Sequence, residues 1–275
     1  MGKTVVFSGF YFRNFMRSRL FLGILSFILV VLFTMIFLSY QTLNFSGYDS
    51  FSYVLARIQG LQKMDLVYFL WGVPYSVLLI FAPAVLSAFV FSHDLESGES
   101  QVYFSYPVSR VQILVAKLFA SFLLSIIVLS VYELGESITL SIYFRNSVPL
   151  SFIWSYLLSI VATLAVIAIV ALGSSLVRNA LFTIFFFFLV YFVIFNIINI
   201  YSIIVGGTLP FYLLNNEVSS VTQVFSQINL IPFGNAGEIQ GASSFEIIRD
   251  ASMMSLYASV SFMFALLKFT GGDVA

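Results

Sequence analysis

Six long apolar stretches, at approximately 20 to 40, 67 to 91, 111 to 132, 152 to 172, 180 to 204 and 251 to 270, alternate along the chain with shorter polar intervals. A helix rising about 1.5 Å per residue needs about 20 predominantly apolar residues to cross about 30 Å of hydrocarbon. Each stretch meets that length. A membrane β-barrel would instead require segments of about ten residues alternating polar and apolar positions. The stretch "LFTIFFFFLVYFVIF", residues 181 to 195, does not alternate. The pattern predicts an all-α polytopic membrane protein: one transmembrane domain over residues 1 to 275 with six transmembrane helices, preceded by an N-terminal interfacial helix.

Composition supports lipid as the solvent. The 275 residues are 60% hydrophobic and 9% charged, against about 25% charged in an ordinary soluble domain. The 33 Phe and 15 Tyr suit lipid contact better than they suit an apolar cargo. A formal net charge of zero lacks the electrostatic footprint of a nucleic-acid binder. With no Cys and one His, the chain has no disulfide framework, no thiol nucleophile and no conventional zinc site, so no metal centre is expected. It contains neither a G-x-x-x-x-G-K-[ST] phosphate loop nor H-E-x-x-H. The chain itself is expected not to be an enzyme and to carry no cofactor, so energy for any work comes from an ion gradient or a partner.

Lys3, Arg13, Arg17 and Arg19 precede the first apolar stretch, in the manner of a signal peptide, but Leu20 to Leu38 is too long for one and lacks a small-residue cleavage site. It reads as a retained first span. Gly2 is followed by Val6 where myristoylation wants Ser or Thr. Six crossings put both termini on one side. That side holds Lys3, Arg13, Arg17, Arg19, Arg110, Lys117, Arg178 and Lys268, and the other holds Arg57, Lys63, Arg145 and Arg249. Eight against four predicts a multi-pass cell-membrane protein with cytoplasmic termini.

Before the first span, Phe12, Phe15 and Met16 fall on one side of a helix and Arg13 and Arg17 on another, although Val6, Phe7 and Phe10 share the polar side. The segment reads either as an interfacial helix whose arginines, Arg19 included, reach to headgroups, or as a positive flank that fixes orientation. The predicted outer region 205 to 250 contains "GGTLPFYLL" and "QINLIPFGNAGEI". It is either folded back in part as short re-entrant helices, allowed where protein covers the backbone, or spread on the outer surface. Asn44 in "NFS" fits a glycosylation sequon.

Charges at membrane depth are costly and mark function. Lys117, about two turns into the third span, is expected to snorkel to the cytoplasmic surface. Glu133 and Glu136 fall about 33 and 38 Å along that helix, at the outer boundary, with a break near Gly135 or a projection beyond the bilayer. Spaced i and i+3, they share a face. They are read either as solvated residues at a helix end, which is preferred, or as the outer mouth of a transport pathway.

The polar interval "SHDLESGESQVYFSYPVSR", residues 92 to 110, reads as a short helix along the cytoplasmic face, interrupted at Gly98 and stopped by Pro107. Ser109 is placed to cap the next helix, which starts near Arg110.

This interval resembles the membrane subunits of type 2 ABC exporters, a group that includes the permease of nitrous oxide reductase maturation. There, [DE]-x-E-x-G-T leads through apolar residues to S-x-P-x-S-R and, seven residues on, to Lys. Asp94, Glu96, Gly98, Ser105, Pro107, Ser109, Arg110 and Lys117 stand in register, while Glu99 replaces the usual Thr and Ala116 the common Gly. The resemblance implies a transmembrane permease subunit of an ABC transporter. Its partners would be separate ATPase subunits, which hold ATP and Mg, a second permease subunit as a homo- or heterodimer, and membrane lipid. It further implies that Asp94, Glu96, Gly98 and Glu99 form a coupling helix facing the ATPase, and that Pro107, Ser109 and Arg110 fix the turn into the third span. The rival readings are a gradient-driven secondary transporter or channel with Glu133 and Glu136 as coupling carboxylates, and a structural membrane anchor.

Overall fold

Hydrocarbon offers no partner to a backbone amide, so a chain this apolar satisfies its backbone within each segment by forming helices. The computed structural model describes residues 2–44, 63–96, 108–144, 150–177, 179–206, 210–226 and 243–271. Among them there is no strand. The helices are α1 (Gly2–Met16), α2 (Arg19–Asn44), α3 (Lys63–Glu96), α4 (Arg110–Phe144) and α5 (Leu150–Val177). Then α6 (Ala180–Phe188) passes through a π-helical turn, Leu189–Ile194, into α7 (Phe195–Gly206). A short helix α8 (Leu214–Ser226) and the long α9 (Ser244–Gly271) follow. Six segments are long and apolar enough to span a membrane: Arg19–Gln41, Leu70–Ser92, Arg110–Tyr143, Leu150–Val177, Ala180–Gly206 and Ser244–Gly271. The chain is an all-α, multi-pass membrane protein.

The centre of the bundle is α3, α4 and α5, which pack on one another. Their contact faces are rich in small residues, among them Ala84, Ala88, Ala116, Ala120, Ala162 and Ala165, all fully buried. Helices in lipid associate by close packing rather than by a hydrophobic drive, and small side chains let the backbones approach. Several buried serines return their hydroxyls to their own helix, as Ser121 does to the Lys117 carbonyl (2.9 Å) and Ser125 to that of Ser121 (2.8 Å). The outer spans α2, α6–α7 and α9 bury a much smaller share of their surface and present Phe27, Phe33, Phe182, Phe185, Phe264 and their neighbours outward, as lipid-facing helices do.

Of the two readings of the third span, a break near Gly135 or a helix projecting onward, the structure rules out the first. The span does not break at Gly135 but continues as one helix to Phe144. Gly135 serves a contact instead: a Cβ there would come within 2.6 Å of Leu32 Cδ2, so the missing side chain lets α2 close on α4. The sixth span begins at Ser244, earlier than the apolar run alone suggests. Ser243 opens it with a capping box, accepting from the Glu246 amide (3.3 Å) while its own amide donates to Glu246 Oε2 (2.8 Å).

The N-terminal helix forms, and its inward face matches the expected one only in part. Ser8, Tyr11 and Phe15 are buried, with Phe7 and Phe12 partly so, whereas Met16 is exposed. Successive turns of α1 thus lie against α4, and Arg13, Arg17 and Arg19 point outward at the α1–α2 corner. Ser18 makes that corner, donating to the Phe15 carbonyl (2.7 Å) and accepting from the Phe21 amide (3.2 Å).

Between the fifth and sixth spans, α8 packs against α3, α5 and α9. Leu214, Val218, Val221 and Val224 are buried on it. This part of the 205 to 250 region therefore folds back onto the bundle, as the re-entrant reading expects, and does not lie as a surface loop. Residues 227–242 are outside the described residues.

Candidate functional site

Polar groups converge where α8 meets the central helices. In α3, Pro74 supplies no amide donor to the turn before it, and in that turn the Trp71 carbonyl accepts the Tyr132 hydroxyl of α4 (2.7 Å). The Trp71 indole donates to Ser39 Oγ of α2 (2.9 Å). Tyr75 stacks on Tyr132 with ring centroids 5.6 Å apart, and Trp71 tilts against the same ring at 5.5 Å. These three aromatics are fully or almost fully buried, and they hold α2, α3 and α4 at one level.

Glu133 and Glu136 sit in this setting. They are 4% and 1% exposed, so the preferred sequence reading, solvated residues at a helix end, is overturned. The longer helix explains it: because α4 does not end near Gly135, its acidic face stays covered by neighbours. The Tyr75 hydroxyl comes up beside Glu133 and Ser159 without completing a well-formed hydrogen bond. Glu136 Oε1 is buried with no hydrogen-bond partner, and Glu133 is the charged group that bears on it. Ser159 of α5 donates to the Tyr156 carbonyl (2.7 Å), leaving its oxygen able to accept. Beside this level α8 approaches closely: Ser155 donates to the Val221 carbonyl (2.7 Å), and a Cβ on Gly72 would touch Thr222 at 3.8 Å.

A second acidic group lies on α8 itself. Glu217 is buried, with neither carboxylate oxygen hydrogen-bonded. Burial first, and then the Asp250 charge, push its acid up to about 8, against the opposing pull of Arg249. Arg249 closes on Asp250 of the same helix (Nη2 to Oδ1 2.8 Å) and does not neutralise Glu217. The α8 helix is also tied to the fifth span by a reciprocal amide pair, Asn199 to Asn216 at 2.9 and 2.8 Å.

At the other end of α4, Lys117 is 2% exposed. It does not snorkel. Its Nζ donates to the Phe91 carbonyl of α3 (3.0 Å) and lies 5.4 Å from the centre of the Tyr11 ring. One side chain thereby joins α1, α3 and α4. A single lysine read along its own helix looks free to reach water; only the packing of α1 over it reveals that it is enclosed.

Of the residues that the exporter resemblance singles out, Asp94 and Glu96 have their backbone in the last turn of α3, which runs on to Glu96 without interruption after the span. The expected separate helix therefore does not start at His93. The side chains of Asp94 and Glu96, and all of Gly98, Glu99 and Pro107, lie outside the described residues. Ser109 caps α4 as expected: it accepts from the Gln112 amide (3.3 Å), and its amide donates to Gln112 Oε1 (3.1 Å). Arg110 is the first residue of α4. The backbone of Asn44 ends α2. No group of three or more His, Cys, Asp or Glu able to hold a metal occurs among the described residues.

Sequence reasoning missed Tyr75, Tyr132, Trp71 and Glu217 as members of polar clusters, and it missed the π-helical turn at Leu189–Ile194. The pairing of Pro74 with aromatic residues inside an apolar run was the available signal for the first group. No protein-family model matches the chain, and no curated protein matches it significantly.

Proposed function

We propose that the chain is the transmembrane permease subunit of an ABC exporter, coupling ATP hydrolysis by separate ATPase subunits to export or flipping of a substrate. The observation that carries this reading is the way the polar interval between α3 and α4 is anchored at its return. Ser109 caps α4 at the end of the exporter-like sequence, and Lys117, the last residue of that pattern, is bonded to Phe91 near the end of α3. A load applied to the interval is thus delivered to α3 and α4 as a pair, which suits a coupling element. The interval's acidic residues Asp94, Glu96 and Glu99 supply charge for docking, and the excess of basic residues on the same side supports cytoplasmic termini. A second permease copy or relative completes the assembly in this reading.

The decisive experiment is purification of the tagged chain from its own cells with mild detergent. An ATPase bearing a phosphate loop is expected to co-purify, and its activity is expected to fall to the uncoupled level with Glu96→Gln or Arg110→Ala. Both variants should still insert in the membrane. Normal ATP-dependent transport by them would remove the coupling assignment. Orientation is read separately: because the chain has no Cys, single cysteines at Arg17 and Ser243 report opposite sides to an impermeant thiol reagent, Arg17→Cys labelling only from the cytoplasm.

One observation favours a second reading, a gradient-driven carrier: two carboxylates buried inside the bundle are groups that such carriers use. Flux that follows an ion gradient in vesicles free of ATP and of any ATPase would select it.

A further inference from the structure

The Glu133–Glu136 pair has a feature that neither its sequence spacing nor the coupling interval explains. Two carboxylates one turn apart are enclosed in a water-poor bundle, and no described basic group bears on them. Glu133 is met by the Tyr75 hydroxyl from α3, and Glu136 by Glu133 itself. From α5 the polar group is Ser159, in a helix without a charged residue. The α2 helix carries no charge beyond Arg19 at its start, and the one charged residue of α8, Glu217, faces Asp250 and Arg249 of α9.

Two negative charges so placed, without a counter-ion among the described residues, would cost far more than the bundle can supply. The site must therefore hold positive charge. Its remaining groups are oxygens with capacity to spare. Glu136 Oε1 has no partner, and the Tyr75 hydroxyl, on a residue 2% exposed, is aimed at the pair unpartnered. The described carboxylates and hydroxyl suit a hard monovalent cation or the hydrogen-bond donors of an ammonium group. Lipid-exposed acids would show none of this enclosure.

We propose that Glu133 and Glu136, with the Tyr75 hydroxyl, form an exchangeable cation site in the bundle, occupied at rest by a shared proton and filled in transport by a monovalent cation. That cation is either an alkali ion or the ammonium group of an amine-bearing ligand. The site goes beyond the exporter reading and stands whether or not an ATPase partner is found. Exchange conserves charge: the cation enters as one carboxyl proton leaves to water.

The test is infrared difference spectroscopy on the full chain in lipid nanodiscs at fixed pH, perfused in turn with sodium, potassium and methylammonium. It is made in a Glu217→Gln background, because Glu217 also holds a proton near neutral pH. The expected result is loss of a protonated-carboxyl band and release of about one proton per chain on saturation by at least one of the three probes. Glu133→Gln or Glu136→Gln should weaken the apparent affinity at least tenfold, and the double variant should abolish both signals. Because Gln reproduces the shape and neutrality of a protonated Glu, folding is expected to survive, checked by monodispersity. A response to sodium or potassium alone assigns an inorganic cation, and one to methylammonium alone an amine. A band indifferent to all three probes, or a response that persists in the double variant, overturns the proposal.

Discussion

The two ends of α4 bury charge in opposite ways. Near its start, Lys117 is enclosed but satisfied in part by the Phe91 carbonyl and the face of the Tyr11 ring. Roughly 24 Å further along the helix axis, Glu133 and Glu136 are enclosed with an oxygen left over and no cation among the groups that bear on them. The lysine is built into a joint between three helices, where its charge gives direction to packing. The glutamates have no basic partner among the described residues. Burial alone therefore does not distinguish a structural charge from a functional one; the state of its partners does.

The largest effect should come from reversing the sign at the structural end. Lys117→Glu would set a carboxylate against the Phe91 carbonyl, and leaving a buried charge uncompensated in this way costs about 3–5 kcal/mol. Thermal unfolding in detergent should fall accordingly, or the protein should fail to accumulate. Lys117→Met keeps the length of the side chain without its charge and is expected to stay within about 1.5 kcal/mol of wild type. At the other end of α4 the order inverts: the Glu133→Gln, Glu136→Gln double variant should melt at the wild-type temperature or above it. If the double variant is the less stable of the two ends, the distinction between joint and site collapses.

Much of this fold was legible in the pattern of apolar residues, because lipid forces each long apolar run into a helix whatever its neighbours. The six spans and the Ser109 cap rest on such local rules. What the pattern did not reveal depends on which helices touch. Glu133 and Glu136 looked like the end of a span because apolar length was measured along α4 alone, whereas α2, with Leu32 pressed onto Gly135, holds that end inside the bundle. Lys117 looked able to reach water because it stands only about two turns into its span; Tyr11 of α1 closes over it instead. Glu217 gave no signal, since an acidic residue in the first turn of a short helix is ordinarily a solvated dipole partner. Only the packing of α8 between α3, α5 and α9 buries it.

Glu217 sharpens the outer end of the comparison through pH. Its acid rises from an ordinary 4.5 to about 8, chiefly by burial, so the folded chain takes up a proton that the unfolded chain has released. The stabilising contribution is full below about pH 4.5 and is lost as pH climbs toward about 8. The wild-type melting temperature should decline across that window, and Glu217→Gln should flatten the decline. Above pH 8 the variant should be the more stable, because only the wild type then buries an ionised carboxylate. Parallel profiles for the two proteins would mean that α8 already admits water to the carboxylate.

The smallest effect separates the two ends most cleanly. Ser109 and Ser243 open α4 and α9 with the same reciprocal box, to Gln112 and Glu246. Replacing either serine with Ala removes one acceptor from the first turn and should cost about 1 kcal/mol. Both helices are long and held by packing, so neither variant should shift global unfolding much. Each should instead speed hydrogen exchange at the amides of its own first turn. The equality ends with function: in the exporter reading, Ser109 stiffens the return of the coupling interval into α4, while Ser243 lies at the opposite end of the bundle. Ser109→Ala is therefore expected to reduce transport-linked ATPase stimulation severalfold, and Ser243→Ala to leave it unchanged. Equal losses from both would make the cap at Ser109 an ordinary helix end and move force transmission elsewhere in the interval.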